Sequence, residues 1–279
     1  MTESPQQRQA REYHSLAVRR RVEGRYQEAV ELHKRALEIA EKVFTPENPI
    51  LVTALNEFGV TCKYVGLFEE GERAYRLALE IAESVYGPEH NVVATLNHNL
   101  GGLAHARGDF AAAEAPSRRA LDIRERLFGA THPSVASDLG ALAAVAQGLG
   151  NYDEAEALYM RALSVFERAY GPDHLEVGIV LGNLGGLRRV QARLDEAGVL
   201  LERSLAVKEQ RLGPQHPDVA IALNNLGVVR KTRGRADEAE PLLTRALAIF
   251  EEALDPSHPT LAACRANLED LRRRGREMG

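Results

Sequence analysis

Gly87-Pro88-Glu89-His90 returns in altered form every 42 residues, and this repetition decides the fold. Later copies are Gly129-Ala130-Thr131-His132, Gly171-Pro172-Asp173-His174 and Gly213-Pro214-Gln215-His216. Thr45-Pro46-Glu47-Asn48 stands one step earlier, and Asp255-Pro256-Ser257-His258 one step later. Six marks in constant phase, with no insertion or deletion between them, predict a repeat protein.

A second mark divides each period in two. It is a small residue followed two positions later by a mostly apolar residue and three positions after that by alanine or glycine. Its copies are Gly24-x-Tyr26-x-x-Ala29, Gly66-x-Phe68-x-x-Gly71, Gly108-x-Phe110-x-x-Ala113, Gly150-x-Tyr152-x-x-Ala155, Ala192-x-Leu194-x-x-Ala197 and Gly234-x-Ala236-x-x-Ala239. Two breaks per period predict two helices per repeat.

The residues at the first mark have the chemistry of a helix end followed by a helix start. Glycine after a helical run adopts the left-handed conformation that ends a helix, and a following proline prevents its continuation. Asn48 is a good N-cap, and Pro49 suits a first helical position. We therefore interpret the histidines of the same phase as loop and cap residues: His90, His132, His174, His216 and His258.

Apolar residues between the marks follow helical spacing. First helices are predicted at 8–22, 50–65, 92–107, 134–149, 176–191 and 218–233, and second helices at 25–44, 68–86, 110–128, 152–170, 194–212 and 236–254. A final helix at 260–274 repeats only the first half of the motif and has the polar outer positions of a cap. Pro116 and Pro241 fall near the starts of second helices, where we expect mild bends.

Composition excludes several classes of function. The 279 residues are 44% hydrophobic and 27% charged, with a net charge of −5. A nucleic-acid partner is not expected, because phosphate neutralisation needs a basic surface. No apolar run reaches 18 residues, so no membrane partner or span is expected. Two distant cysteines, Cys62 and Cys264, are interpreted as free thiols of a cytoplasmic protein.

The order Leu223-x-x-Leu226-Gly227, Gly234, Ala239, Ala246-Leu247 resembles the tetratricopeptide pattern. The 42-residue period is similar to that of kinesin light chains and related bacterial proteins, and the Arg- and Ala-rich text favours a bacterial origin. The resemblance implies an all-α fold, a right-handed α-solenoid of six helix-turn-helix repeats plus a C-terminal capping helix. One solenoid would span 8–275, between disordered residues 1–7 and 276–279. The repeats would be 8–49, 50–91, 92–133, 134–175, 176–217 and 218–259.

No motif for catalysis or for a cofactor is found, so we predict a protein that is not an enzyme and has no cofactor. The phased histidines do not suit a metal, because stacked repeats lie about 10 Å apart whereas ligands must converge within about 2 Å of one ion. Acidic pairs such as Asp153-Glu154 fall in first turns of helices, where negative charge suits the helix dipole.

The resemblance also implies that first helices line a concave groove. One phase of that face is mostly cationic and two phases are rich in amides, above a floor of small residues such as Gly182 and Gly186. The candidate peptide-binding residues are Asn56, Lys63, His98, Asn99, Asn183, Arg189, Asn224, Asn225 and Lys231.

Two interpretations of these side chains remain open. Amides can grip a peptide backbone and cations can bind acidic groups, but the amides can instead bond to the neighbouring repeat, and the cations can serve the helix dipole. We expect a scaffold or adaptor that binds a protein segment with acidic residues or a free C-terminus. A monomer is expected, with a dimer as the alternative. Other functions left open are a regulatory sensor of a separate protease or ATPase, and a self-assembling architectural solenoid.

Overall fold

A computed structural model describes residues 4–45, 47–254 and 258–277, with side chains as far as residue 273. Within these ranges it contains thirteen helices and no strand. The first helices of the repeats are α1 Pro5–Val22, α3 Pro49–Val65, α5 Asn91–Ala106, α7 Pro133–Gly148, α9 Leu175–Val190 and α11 Pro217–Thr232. The second helices are α2 Tyr26–Val43, α4 Phe68–Tyr86, α6 Phe110–Phe128, α8 Tyr152–Tyr170, α10 Leu194–Leu212 and α12 Ala236–Ala253, and α13 is Pro259–Glu277.

The helices form two compact units, residues 1–150 with α1–α7 and residues 151–279 with α8–α13. Inside each unit, a first helix packs on the second helix of its own repeat, which in turn packs on the next first helix. This is the stacking of an all-α solenoid, as the sequence predicted. We call residues 1–150 the N-terminal unit and residues 151–279 the C-terminal unit.

First helices face the inner side of the stack in each unit. Successive first helices, such as α3 and α5 or α9 and α11, approach one another closely, whereas the described second helices within a unit do not. Long side chains bridge the wider gaps between second helices by ion pairs. They are Arg119–Glu83 at 2.5 Å, Arg203–Glu167 at 2.6 Å and Arg245–Glu209 at 2.6 Å.

The phased histidines cap the first helices, which confirms that prediction. Nδ1 of His174 accepts a hydrogen bond from the Glu176 backbone N–H at 3.3 Å, and Oδ1 of Asn48 accepts one from Ile50 at 2.9 Å. The other capping histidines make the same bond, namely His90, His132, His216 and His258. An aromatic ring four residues earlier stacks on three of the imidazoles; the Tyr170 and His174 ring centroids lie 4.3 Å apart.

The turn between the two helices of a repeat has a left-handed residue. Glycine supplies it in five repeats, for example Gly66 at φ 74° and Gly234 at φ 73°. Ala192 holds the same position in the fifth repeat at φ 59° and is the one non-glycine residue with positive φ among those described. Because a Cβ strains this conformation, the turn after α9 is the least favourable of the set.

Helix bounds differ from the predicted ones chiefly at the two ends of the chain. α1 begins at Pro5, since Ser4 and Gln7 form a capping box with hydrogen bonds of 2.9 and 3.2 Å. Residues 4–7 are thus ordered, and α13 extends to Glu277 rather than 274. Pro116 and Pro241 lie inside uninterrupted helices. Predicted features at residues 1–3, 46, 255–257 and 278–279 lie outside the described residues.

Small side chains let paired helices approach closely. Ala197 and Ala239 are fully buried. A Cβ on Gly185 would lie only 2.7 Å from Cγ of Leu201, and one on Gly227 only 2.8 Å from Cγ of Leu243. Cys62 and Cys264, which lie far apart in the sequence, are both buried free thiols, and burial raises the pKa of Cys62 to about 12. In the described residues no helix is both long and apolar enough to cross a bilayer.

Candidate functional site on the first helices

All nine predicted site residues lie on first helices, on α3 and α5 in the N-terminal unit and on α9 and α11 in the C-terminal unit. The structure divides them into two groups. Five side chains take part in hydrogen bonds inside the protein, and four have neither a hydrogen bond nor an ion pair among the described residues. This division decides which of them can act on a partner.

The amide phases pair with each other between neighbouring repeats. Nδ2 of Asn99 donates to Oδ1 of Asn56 at 2.8 Å, and Nδ2 of Asn267 donates to Oδ1 of Asn224 at 3.1 Å. Asn56 also donates to Glu57 at 3.3 Å. For these amides, the structure shows bonding to the neighbouring repeat, one of the two interpretations that the sequence left open.

Some of the cations are likewise occupied. Nζ of Lys231 lies 3.2 Å from Oδ2 of Asp270 on α13, and its side chain is only 13% exposed. At the same phase of α1, Arg21 donates to Glu57 at 2.8 Å. These pairs join successive first helices, so such cations stabilise the stack.

His98 belongs to a buried polar cluster. Its Nδ1 lies 2.7 Å from Oδ1 of Asp138, which also accepts from Nη1 of Arg124 at 2.7 Å. Arg124 donates further to Oγ1 of Thr95 at 2.9 Å and to Oδ1 of Asn91 at 3.3 Å. Asp138 is 1% exposed, so the cluster links α5, α6 and α7 from within.

Four predicted residues keep free polar groups among the described residues: Lys63, Asn183, Arg189 and Asn225. Lys63 extends toward the bare face of Gly102, where its Nζ would be 4.0 Å from an added Cβ. Burial, and then the positive charge of Lys63, lower the pKa of His105. This keeps the imidazole neutral near neutral pH.

The C-terminal unit contains the larger share of these free groups. Asn183 and Arg189 are exposed on α9, and Asn225 is half-buried on α11. Small residues accompany them, since Gly186 has no atom within 4 Å of where its Cβ would be. The arrangement offers hydrogen-bond donors and acceptors beside bare backbone, which suits contact with an extended polypeptide.

Lys208 on the second helix α10 was missed by the sequence reasoning. The residue is 8% exposed, yet its ammonium approaches the first-helix face at Gly182, where Nζ lies 3.8 Å from the position of an added Cβ. A signal was available, because every other member of its phase except Arg124 is apolar: Ala40, Ala82, Phe166 and Phe250.

Within the described residues, no group of three or more His, Cys, Asp or Glu side chains is placed to hold a metal ion. The phased histidines each direct Nδ1 to a helix start instead. The chemistry available on the first helices is therefore hydrogen bonding and charge pairing.

The model of the tetratricopeptide repeat family matches six overlapping segments, 9–70, 51–126, 92–159, 134–192, 176–252 and 218–277. The chain belongs to the tetratricopeptide repeat family. Tetratricopeptide repeats are in general non-catalytic scaffolds for protein interaction. A search of curated proteins gives no match for this tetratricopeptide protein.

Solved structures with the same fold include several kinesin-light-chain-like proteins. BtubC (BKLC) from P. vanneervenii is 26% identical, with a TM-score of 0.64 over 91% of this chain and 95% of that one. Repeats of a putative kinesin light chain from Podosopora anserina are 20% identical, with a TM-score of 0.60 over 75% and 100%. The apo form of RapI, 12% identical, has a TM-score of 0.65 over 96% and 99%.

Proposed function

We propose that this tetratricopeptide protein is an interaction scaffold whose first helices bind a segment of a partner protein. The observation that supports this best is that some polar side chains on α9 and α11 are hydrogen-bonded inside the described part of the protein and others are not. Neighbouring residues of the same phases are joined by internal bonds, whereas Asn183, Arg189 and Asn225 have none to the part of the chain that the structure describes. Polar side chains that have no partner among the described residues are suited to an external one.

The unpaired groups set the chemistry of the partner segment. An amide both donates and accepts, so Asn183 and Asn225 can bond to backbone N–H and C=O groups of any sequence. Arg189 and Lys63 add positive charge, which favours acidic side chains or a terminal carboxylate. A Rap protein, 16% identical to this chain with a TM-score of 0.61, was crystallised in complex with Competence and Sporulation Factor, so the fold accommodates a bound factor in that protein.

The test is selection of a random peptide display library on the full-length chain. A selected peptide is then synthesised with a fluorophore, and its Kd is measured by anisotropy. We expect the double substitution Asn225→Ala with Arg189→Glu to weaken binding about tenfold or more, since hydrogen bonds to charged groups contribute about 1.5–3 kcal/mol. Helicity and thermal stability should be nearly unchanged, because neither side chain has a hydrogen bond or ion pair to the described residues.

The matched control is Arg168→Glu, which makes the same charge change on an exposed residue of the second helix α8. It should leave the Kd unchanged. Equal affinity of the double variant and the native chain, or equal weakening by Arg168→Glu, would contradict a site on the first helices. Asn224 and Lys231 are unsuitable for this test, because their loss would also remove bonds to α13.

A further inference from the structure

Lys208 is a buried cation without a paired anion. It is 8% exposed, and its ammonium has no hydrogen bond or ion pair among the described residues. Burial lowers the pKa of the ammonium. The negative charge of Asp218, which makes no ion pair with Lys208, partly offsets this lowering. Lysine is seldom buried to this extent without a paired anion, so a lysine at this position of α10 calls for an explanation.

In the N-terminal unit, the residue equivalent to Lys208 is a cation that is paired with a carboxylate. Arg124 lies two 42-residue periods before Lys208 and is equally buried, 8% exposed. There, the cation binds the carboxylate of Asp138 at 2.7 Å, and His98 contacts the same oxygen. One repeat position therefore has a cation matched by a carboxylate within the chain.

The C-terminal unit retains the cation but has no acid at the position of Asp138; Asp218, one turn earlier on α11, makes no ion pair with Lys208. The residue equivalent to Asp138 is Ala222, and the residue equivalent to His98 is Gly182. Nζ of Lys208 lies 3.8 Å from the position where a Cβ of Gly182 would be. The ammonium is thus directed at Gly182, one of four glycines on α9, at the position that His98 holds two repeats earlier.

A second donor is left without its partner at the same glycine. Asn99 and Asn267 each donate to an amide 43 residues earlier in the chain. For Asn225, the residue 43 positions earlier is Gly182, which has no side chain to accept, and its amide has no hydrogen bond among the described residues. Lys208 lies beside Gly182, and by equivalence with Asn99 and Asn267 the amide of Asn225 belongs to the same part of the first-helix surface.

We propose that Lys208 and Asn225 bind a carboxylate of the partner segment beside Gly182, in the role that Asp138 has for Arg124. The inference rests on the proposed function and specifies one contact within it. The carboxylate is that of an aspartate or glutamate side chain, and a C-terminal carboxylate has the same chemistry. A low-exposure ammonium pairs strongly with an anion because little water competes for it.

The experiment uses the same display library, selected separately on the native chain and on Lys208→Met. The native chain should enrich aspartate or glutamate over asparagine and glutamine at one peptide position, and Lys208→Met should lose that enrichment. In the synthetic peptide, changing that acid to its amide should weaken binding to the native chain about tenfold or more. The same change should have little effect with Lys208→Met. Peptides with amidated and free C-termini distinguish a side-chain from a terminal carboxylate.

Two further variants sharpen the comparison. Arg168→Met removes a cation from the exposed surface of α8 and should keep the acidic preference. Ala222→Asp restores the residue equivalent to Asp138 and should abolish the preference by pairing Lys208 internally. Should Ala222→Asp fail to fold, Lys208→Met decides the question alone.

Selected peptides without acidic enrichment, or with enrichment unaffected by Lys208→Met, would overturn the carboxylate contact and leave peptide binding intact. Failure of the native chain to select any peptide would overturn both proposals. Acidic enrichment that Lys208→Met and Ala222→Asp each abolish, and Arg168→Met does not, would support both.

Discussion

Asn99 donates a 2.8 Å hydrogen bond from Nδ2 to Oδ1 of Asn56 on the preceding first helix. Asn225 has the same phase on α11, but the residue 43 positions earlier is Gly182, and Asn225 has no such bond among the described residues. Two asparagines of one repeat position therefore differ in their role. Asn99 joins two repeats, and Asn225 does so nowhere in the described residues.

This difference predicts opposite effects of the same substitution. Asn99→Ala should lower the free energy of unfolding by about 0.5–1.5 kcal/mol, the usual net contribution of one hydrogen bond. Asn225→Ala should change it by less than about 0.5 kcal/mol, as for other substitutions that break no internal contact. Urea unfolding followed by circular dichroism measures both. An equal loss in the two variants would show that Asn225 has an internal partner.

The capping histidines predict that asparagine can replace histidine but alanine cannot. His174→Ala removes the acceptor for the Glu176 N–H and should cost about 1 kcal/mol. His174→Asn should retain most of the stability, because Asn48 makes the equivalent bond at 2.9 Å. Thermal unfolding of the two variants gives the comparison. If both variants melted at the same temperature below that of the native chain, the stack of Tyr170 on His174, and not the cap, would be the important contact.

His33 predicts a loss of stability in acid. It is fully buried, and neither ring nitrogen has a hydrogen-bond partner among the described residues. Burial, followed by the charges of His14 and Arg21, lowers the pKa of His33 from 6.5 to about 3. The folded chain keeps the ring neutral, while the unfolded chain takes up a proton below pH 6.5.

The contribution of His33 is therefore complete above pH 6.5 and declines as the pH falls from 6.5 toward about 3. In this window it steepens the decline by as much as about 1.4 kcal/mol per pH unit. His33→Leu should remove this part of the slope and leave stability at neutral pH the same or higher, since no hydrogen bond is lost. Urea unfolding at several pH values tests this, and parallel slopes for both proteins would contradict it.

Removing the Leu163 side chain should lower the stability of the repeats around it more than that of the rest of the chain. It is a buried residue of α8, 8% exposed, so Leu163→Ala should cost about 2–5 kcal/mol through the cavity it leaves. Since repeats contact mainly their neighbours, amide exchange should accelerate most in the C-terminal unit around α8. Met160→Ala, at a residue 49% exposed on the same helix, is the control and should have little effect. Uniform acceleration along the whole chain would indicate a single cooperative unit.

Most of the helix pattern was predictable because the signals are local. Glycine at a left-handed turn, and proline and histidine at a helix start, act through the backbone next to them. The predicted 50–65 thus became Pro49–Val65, and 194–212 became Leu194–Leu212. The start of α1 was predicted wrongly because its capping box, Ser4 with Gln7, lies before the part of the sequence that repeats every 42 residues.

The site was predictable only in part, because pairing depends on residues one repeat away. The sequence placed Asn99 and Lys231 on the correct helices but could not show that Asn56 and Asp270 occupy them. Lys208 was overlooked because only first helices were expected to line the groove. A charged residue at an otherwise apolar repeat position is the pattern that would have revealed it.

Each capping histidine accepts a hydrogen bond from the backbone N–H two residues later, so the cap is made within four residues of sequence and needs no residue of another repeat. A block of 42 residues could therefore be duplicated or deleted at these turns, and each helix start would keep its cap. The number of repeats is therefore free to change by whole 42-residue units during evolution, while the side chains on the first helices vary independently.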